Sequence, residues 1–454
     1  MADAAFGQAP QRQAITHRYI VFCFLILLVG IAGGSSRPDA VQLLLLRPAS
    51  VILLGYALWF WRKDNLATLR FPLILLLILA GWITIQLMPL PPASWARLPG
   101  RDIAVQTATL AGLETSWYPI SMAPARSWNT LISLILPIAA LIMAGSMSSF
   151  ERRMLMLPLL IIGLVSMVLS LIQRLGPPDS LFYFYAITNA GAAVGLFANR
   201  NHQAMLLAAL VPVMAVFVLR SIPQALPRLI ALLIGLLILF EGVIVTSSRG
   251  GAILYAFSVM MTFCLTSDEI ALSYSQVSGR QIRRSTIVLA SFGIAIVAAL
   301  PILILRADVM VRLAAMVTSE FRLDALPIYY RMITDSFPVG IGYGAFERVF
   351  QVSEPFIRLD SAYLNHAHND LAEWIIDGGA VAVVILLCFL LWWLLAGLAA
   401  VKHASGGGDA TALAGWAMAA VLLIGSLIDY PIRTPIGMVV MAMACAWISA
   451  SKRS

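Results

Sequence analysis

Residues 365–374 read NHAHNDLAEW and bring together His366 and His368, two of the chain's 5 histidines, with Asp370 and Glu373. Imidazole beside carboxylate or arginine is common equipment for moving a proton near neutral pH. If the segment is extended, His366 and His368 share a face and could ligate a metal. Four-coordinate zinc asks for further His or Cys ligands, and the loops on the same side offer only His202, so no metal site is expected. Asp370 and Glu373 also have the spacing of a capping box, which puts His366, His368 and Asn369 just before a first helical turn. One reading is that both histidines merely cap that helix. The reading favoured is one histidine acting as general base, kept neutral by neighbouring arginines.

The arginines suggest an anion. A planar guanidinium takes phosphate oxygens two at a time, as an ammonium cannot. Arg249 lies in the short turn Thr246-Ser247-Ser248-Arg249-Gly250-Gly251, between hydroxyls and glycines, and Arg200 lies in Asn199-Arg200-Asn201-His202. Both stand at the start of an apolar helix, where unpaired N–H groups favour negative charge. Arg322 and Arg331 belong to the stretch around LDALPIYYRMITD, read as an amphipathic helix with Pro327 near its start or at a kink. Gly340, Gly342 and Gly344 then suit a turn with exposed amides. Glu241, one or two turns before the Arg249 turn, is either its ion-pair partner or a buried acid.

The elements that must position these groups are membrane helices. A chain of 454 residues that is 61% hydrophobic and 11% charged, with mean hydropathy +0.90, lies outside soluble composition, and nothing in it points to nucleic acid. Spans need about 20 apolar residues. Twelve segments qualify: 18–34, 41–61, 71–89, 130–147, 153–172, 202–219, 228–246, 250–266, 286–305, 379–400, 411–429 and 434–450. The fold expected is an all-α polytopic membrane protein of about twelve transmembrane helices with a large periplasmic segment between helices 9 and 10. Its parts are cytoplasmic tails at 1–17 and 451–454, helices 1–9 over 18–305, the periplasmic catalytic segment 306–378, and helices 10–12 over 379–450.

Lys63, Lys402 and Lys452, with Arg12, Arg18, Arg62, Arg70, Arg152, Arg153, Arg220, Arg228, Arg280, Arg283 and Arg284, fall in alternate loops, which places both termini inside. The outer side is then basic through arginine alone, in part through Arg-rich codon usage. Arg47, before Pro48, is expected to snorkel to headgroups. The Trp- and Pro-rich loop 89–129 is suited to lying in the membrane interface, and LLVGIAGGSS is not expected to be a cleaved signal. Cys23, Cys264, Cys388 and Cys445 lack CxxC spacing and are expected to pack in the core.

These residues resemble the O-antigen ligase and Wzy polymerase superfamily of bacterial membrane glycosyltransferases. The superfamily's hallmark is a His, then Asn, Ser or Gln, nine residues, a Gly, two residues, and Gly, Thr or Tyr. Here His368-Asn369 is followed by nine residues and Gly379, with Ala382 at the last position, a departure expected to affect helix packing more than chemistry. SSRGG around Arg249, RLDALPIYYRMI with Arg322, PVGIGYGAF and FANRNHQA are similar to other superfamily features. The resemblance covers roughly residues 190–430. It implies transfer of a glycan from an undecaprenyl-pyrophosphate carrier to a glycan or lipid A core acceptor at the periplasmic face of the inner membrane, with neither metal nor other cofactor. On that basis His368 would be the base and Arg249, Arg322 and Arg200 would neutralise pyrophosphate, with His366, Asn369, Asp370 and Ser248 in support. FANRNH slightly favours a polysaccharide polymerase over a ligase. The alternative is a transporter or flippase for an anionic lipid-linked or small solute. Against it stand the lack of an internal repeat and the gathering of polar residues at one face.

Overall fold

The computed structural model describes residues 15–61, 63–304, 325–354, 364–405 and 408–450. The expected site residue Arg322 and much of the expected catalytic segment, including Arg306, Arg312 and Arg358, lie outside the described residues.

Every predicted span coincides with a helix. In chain order these are α1 (His17–Ala32), α2 (Leu43–Trp59), α3 (Lys63–Leu87), the broken pairs α6 (Pro124–Ser133) with α7 (Ile135–Gly145) and α8 (Ser149–Met154) with α9 (Met156–Leu175), α10 (Arg200–Ser221), α11 (Ala225–Thr246), α12 (Arg249–Ser278), α13 (Arg284–Ile304), α16 (Asp370–Ser405), α17 (Thr411–Gly425) and α18 (Pro435–Ala450). Among the described residues, 7 helices are long and apolar enough to cross a membrane, and the others are shorter apolar helices. The architecture is that of a polytopic membrane protein. Between these come short helices α4 (Pro92–Trp95), α5 (Asp102–Leu110), α14 (Leu326–Ser336) and α15 (Phe346–Ser353), and the two-residue strands β1 (Pro89–Leu90) and β2 (Tyr118–Pro119), paired antiparallel.

Two boundaries differ from expectation. Residues 267–278, expected in a cytoplasmic loop, continue α12 as helix, because ALSYSQVS contains no Gly or Pro until Gly279 ends it in a left-handed turn at φ 67°. The tenth helix starts at Asp370 and not at 379, and a kink at Gly379 (φ 60°, ψ −141°) separates its polar first turns from the apolar remainder.

Helix α10 is the centre of the bundle. It packs against α9, α11, α12 and α17 and is buried along most of its length. Without water to drive helices together, close approach of small residues does so. A Cβ on Gly251 would lie 2.2 Å from that of Ala204, and one on Gly250 2.7 Å from Ile428 Cδ1. The two glycines after Arg249 therefore let the start of α12 press on α10 and on the 426–430 turn. At the opposite end of the bundle, Glu151 caps its own helix through Ser148 and accepts from Thr16, and Arg220 pairs with Glu269 at 2.5 Å.

A satellite core sits over the site end. Tyr329 and Met332 of α14, Phe346 and Phe350 of α15, Ala367 and Ile376 bury one another, and Tyr329 donates to the carbonyl of Ala367 at 2.7 Å. The predicted amphipathic helix thus grips the histidine loop from above. The loop 90–117 is anchored by protein contacts: buried Arg101 donates to the carbonyls of Pro99, Ile120 and Gly340. Burial pushes its guanidinium down to about 10. This arginine holds structure together. Of the cysteines, Cys445 is buried as expected, whereas Cys388 is exposed on the helix surface.

Candidate active site

Residues 364–369 are loop and the helix begins at Asp370, as the capping pattern implies, but the cap is a different residue. Asn369 accepts from the amide of Ala372 at 3.0 Å. Glu373 turns back past the cap to accept from the amide of Ala367 at 2.7 Å and to meet His366 Nδ1 at 2.8 Å. The Asp370–Glu373 capping box does not form, because both carboxylates face a stronger partner.

That partner is Arg433, in the 3₁₀ turn Pro431–Arg433 between α17 and α18. Its Nε donates to Asp370 at 2.5 Å, its Nη1 to Glu373 at 2.9 Å, and Asp377 lies 3.9 Å away. Burial lowers an arginine's affinity for its proton, but Glu373, Asp370 and Asp377 together outweigh it and hold the Arg433 proton more firmly than usual. The cluster staples the polar start of α16 to the turn before α18.

His368 stands on the other side. It adopts φ 48°, rare for a non-glycine residue and strained, and its Nδ1 meets Asp429 Oδ1 at 3.3 Å. Asp429 is fully buried and also receives His202 Nε2 at 3.2 Å, Asn201 Nδ2 at 2.8 Å and the Tyr430 amide at 3.0 Å. Burial by itself raises this carboxyl, but hydrogen bonds from His202 and His368 outweigh it and hold it well below the usual carboxylate range. It is a fixed negative charge. Tyr430 lies among the three imidazoles, its ring centroid 4.6 Å from His366, 4.9 Å from His368 and 4.8 Å from His202. The nearest partners of the histidines are thus carboxylates and an aromatic ring, with Arg433 sharing Glu373 Oε1 with His366.

The hydrogen-bonded chain continues outward. Ser248 caps α12 by accepting from Gly251 and donates to Asn201 Oδ1 at 2.8 Å, so Arg249 follows a residue two bonds from Asp429. Arg249 is exposed and has no ion pair among the described residues; Glu241, a turn or two earlier, is exposed and is not its partner. Arg200 begins α10 beside Asn201, its amide on Asn189. The structure therefore brings His368, His366, Asn369, Asp370, Ser248, Arg249 and Arg200 to one end of the bundle.

The glycine turn does different work from that expected. Gly340, Gly342 and Gly344 all have positive φ, but the amides nearby are engaged: Ile341 and Gly342 donate to carbonyls of Ile376 and Asp377, Tyr343 to the Gln86 side chain, and Gly344 to the Asp377 carboxylate. They brace α16 and do not offer an anion nest. At Gly379 a Cβ would lie 2.1 Å from the Pro338 carbonyl oxygen, which accounts for the hallmark glycine. Ala382 is fully buried, and its carbonyl accepts from Trp374 at 2.8 Å, a packing position away from the histidines.

A cavity of about 140 Å³ opens beside His366, lined by Arg37, Arg47, Arg126, Asn365, Glu373 and Arg433 among others. Arg47 is turned inward onto Asn129 at 2.9 Å, so it does not snorkel away from the protein.

Asp429, Tyr430 and Arg433 escaped the sequence reading of the site. Asp429 ends the apolar run 411–429, and an ionisable residue in such a run is itself a signal of function, here carried by Asp429-Tyr430-Pro431-Ile432-Arg433.

Residues 234–387 match the protein-family model described as O-antigen ligase, while no curated protein matches the chain. The matched segment includes the Ser248-Arg249 turn, the histidine loop and the Gly379 kink; Asp429 and Arg433 lie beyond it. Through this segment the chain is similar to the O-antigen ligase family, which supports a ligase- or polymerase-type membrane glycosyltransferase.

Proposed function

We propose that this protein moves a glycan from an undecaprenyl-pyrophosphate carrier to an acceptor hydroxyl at the periplasmic face of the inner membrane, in exopolysaccharide or lipopolysaccharide assembly. The observation that carries the reading is the pairing of His368 with buried Asp429, one residue type for each half of a proton-handling dyad. With Nδ1 toward Asp429, the imidazole proton sits on that nitrogen and Nε2 is the basic one. Nε2 takes the proton of the acceptor hydroxyl as its oxygen bonds to the anomeric carbon. The anomeric C–O bond opposite breaks, and the lipid pyrophosphate departs with the electron pair, inverting the centre. Asp429 stabilises the imidazolium that forms.

Arg249, with Arg200 and Arg322 in support, neutralises the departing pyrophosphate, the kind of charge stabilisation that dominates such reactions. Nothing in these steps needs a metal. Asn369 caps the helix that carries the loop, Asp370 and Ser248 hold the turns that present the arginines, and FANRNH inclines the reading to polymerase over ligase.

The test is a deletion strain carrying either wild type or His368→Ala at matched membrane levels, with lipopolysaccharide and secreted polysaccharide both profiled. Single repeat units retained on the carrier with no long polymer would mark a polymerase, and loss of the capped lipopolysaccharide ladder a ligase. Normal profiles with His368→Ala would sink the general-base assignment.

A further inference from the structure

Helix α11 buries Leu232, Leu236, Leu239 and Val243 against its neighbours α9, α10 and α12 and turns its opposite side outward. Glu241 stands near the middle of that outward side, in line with the exposed Ile230, Ile234, Leu237 and Ile238. The 22 residues of α11 rise about 33 Å, close to the roughly 30 Å of a bilayer's apolar layer. The helix has no length to spare, so a residue about 7 Å short of its end lies within that layer. Snorkelling does not relieve it. Side chains on a helix lean toward its N-terminus, which aims the Glu241 carboxyl away from the nearer end and deeper into the span. Glu241 makes no hydrogen bond or ion pair among the described residues. A carboxyl on that surface needs a hydrogen-bonding partner, and lipid tails offer none.

The spacing identifies the partner. Ile230, Ile234, Leu237, Glu241 and Ile244 recur at alternating steps of four and three, the seam along which two helices cross at a shallow left-handed angle. A single polar residue in such a seam fixes the register by meeting its own image. We infer that the outward side of α11 is the contact surface for a second copy of this chain in the same membrane orientation, with the two Glu241 carboxyls hydrogen-bonded to each other at the two-fold axis. In an isologous contact each copy presents the same patch, so the seam is complete without any other protein. Two like carboxyls side by side hold together by sharing a proton. The seam ends at the left-handed Ser247 turn that leads into Arg249, so the contact braces the helix from which that turn departs. Nothing in this contact depends on the chemistry proposed for His368.

The test counts subunits in lipid, with no turnover required. Full-length protein carrying one fluorophore per chain is reconstituted into liposomes at low density, and photobleaching steps are counted. The wild type should bleach in two steps, and so should Glu241→Gln, whose amide also pairs with its own image. Glu241→Leu should raise the density needed for half-dimerisation by on the order of ten-fold. Glu241→Lys should bleach in one step alone and regain pairs when mixed with wild type, because ammonium then meets carboxylate across the axis. As a second measurement, Leu237→Cys in a Cys388→Ala background should cross-link copy to copy with a short bismaleimide, whereas Leu391→Cys on the exposed side of α16 should not. Single steps for the wild type would overturn the inference, as would dimers of undiminished affinity in both Glu241→Leu and Glu241→Lys. Cross-linking through Leu391→Cys and not through Leu237→Cys would place the contact elsewhere and overturn it equally.

Discussion

Asp429 offers the sharpest test of the chemistry, because an isosteric change alters its hydrogen-bonding character and little else. The carboxylate accepts from His202, His368, Asn201 and the Tyr430 amide. Asp429→Asn keeps the shape but replaces one acceptor oxygen with an NH₂. If the NH₂ faces Asn201, it meets a donor; if it faces the histidines, it forces their protons onto the far nitrogens. In that case Nε2 of His368 carries the proton and cannot act as base. The expected loss in turnover is about 10²- to 10⁴-fold, the contribution of a positioned proton acceptor, equivalent to roughly 3–5 kcal/mol of transition-state stabilisation. Asp429→Ala adds a folding defect, since His202 loses its buried partner, on the order of 3–5 kcal/mol.

The assay is transfer of labelled glycan from a lipid-linked donor by purified protein, with thermal melting in the same detergent as the control for folding. Asp429→Asn should melt near the wild-type temperature and transfer slowly at every donor concentration. Turnover within a few-fold of wild type, with the protein intact, would refute the view that Asp429 sets the state of His368.

Three further outcomes follow from the geometry. Arg249→Gln should abolish transfer while leaving folding stability, read by thermal melting, unchanged within about 0.5 kcal/mol, because the side chain is exposed and holds no ion pair among the described residues; a matching loss of stability would make it structural. Gly379→Ala should destabilise the protein by more than about 2 kcal/mol, since φ 60° is strained for alanine and the added Cβ meets the Pro338 carbonyl; an unchanged melt would mean that the kink relaxes. The Asp429 carboxyl is held below its ordinary value, so its stabilisation is complete above the ordinary carboxylate range, near about pH 4, and is lost only as pH falls through its own lower value. The gap in melting temperature between wild type and Asp429→Ala should therefore stay constant from neutral pH down to mild acid and narrow only in stronger acid.

What the sequence alone determined was everything written in local pattern. Long apolar runs can only be helices in a bilayer, since every backbone group must be satisfied within the segment, and each predicted run is a helix. The histidine loop at a helix start, the Ser248 cap, the left-over arginine at 249 and the glycine at 379 were legible because caps, tight turns and positive φ have local signatures. Tertiary structure alone decided which carboxylate each histidine meets. Asp429 lies 61 residues from His368 and 227 from His202, and no periodicity links positions that far apart. Asp370 and Glu373 looked like a cap because their spacing fits one, yet Arg433, folded back from a later turn, and His366 outbid the helix amides with charge. Arg47 likewise reads as a charge for lipid headgroups until folding brings Asn129 to it, and Arg101 is claimed by the carbonyls of Ile120 and Gly340. A guanidinium's partner is whatever acceptor the packing of distant helices places beside it.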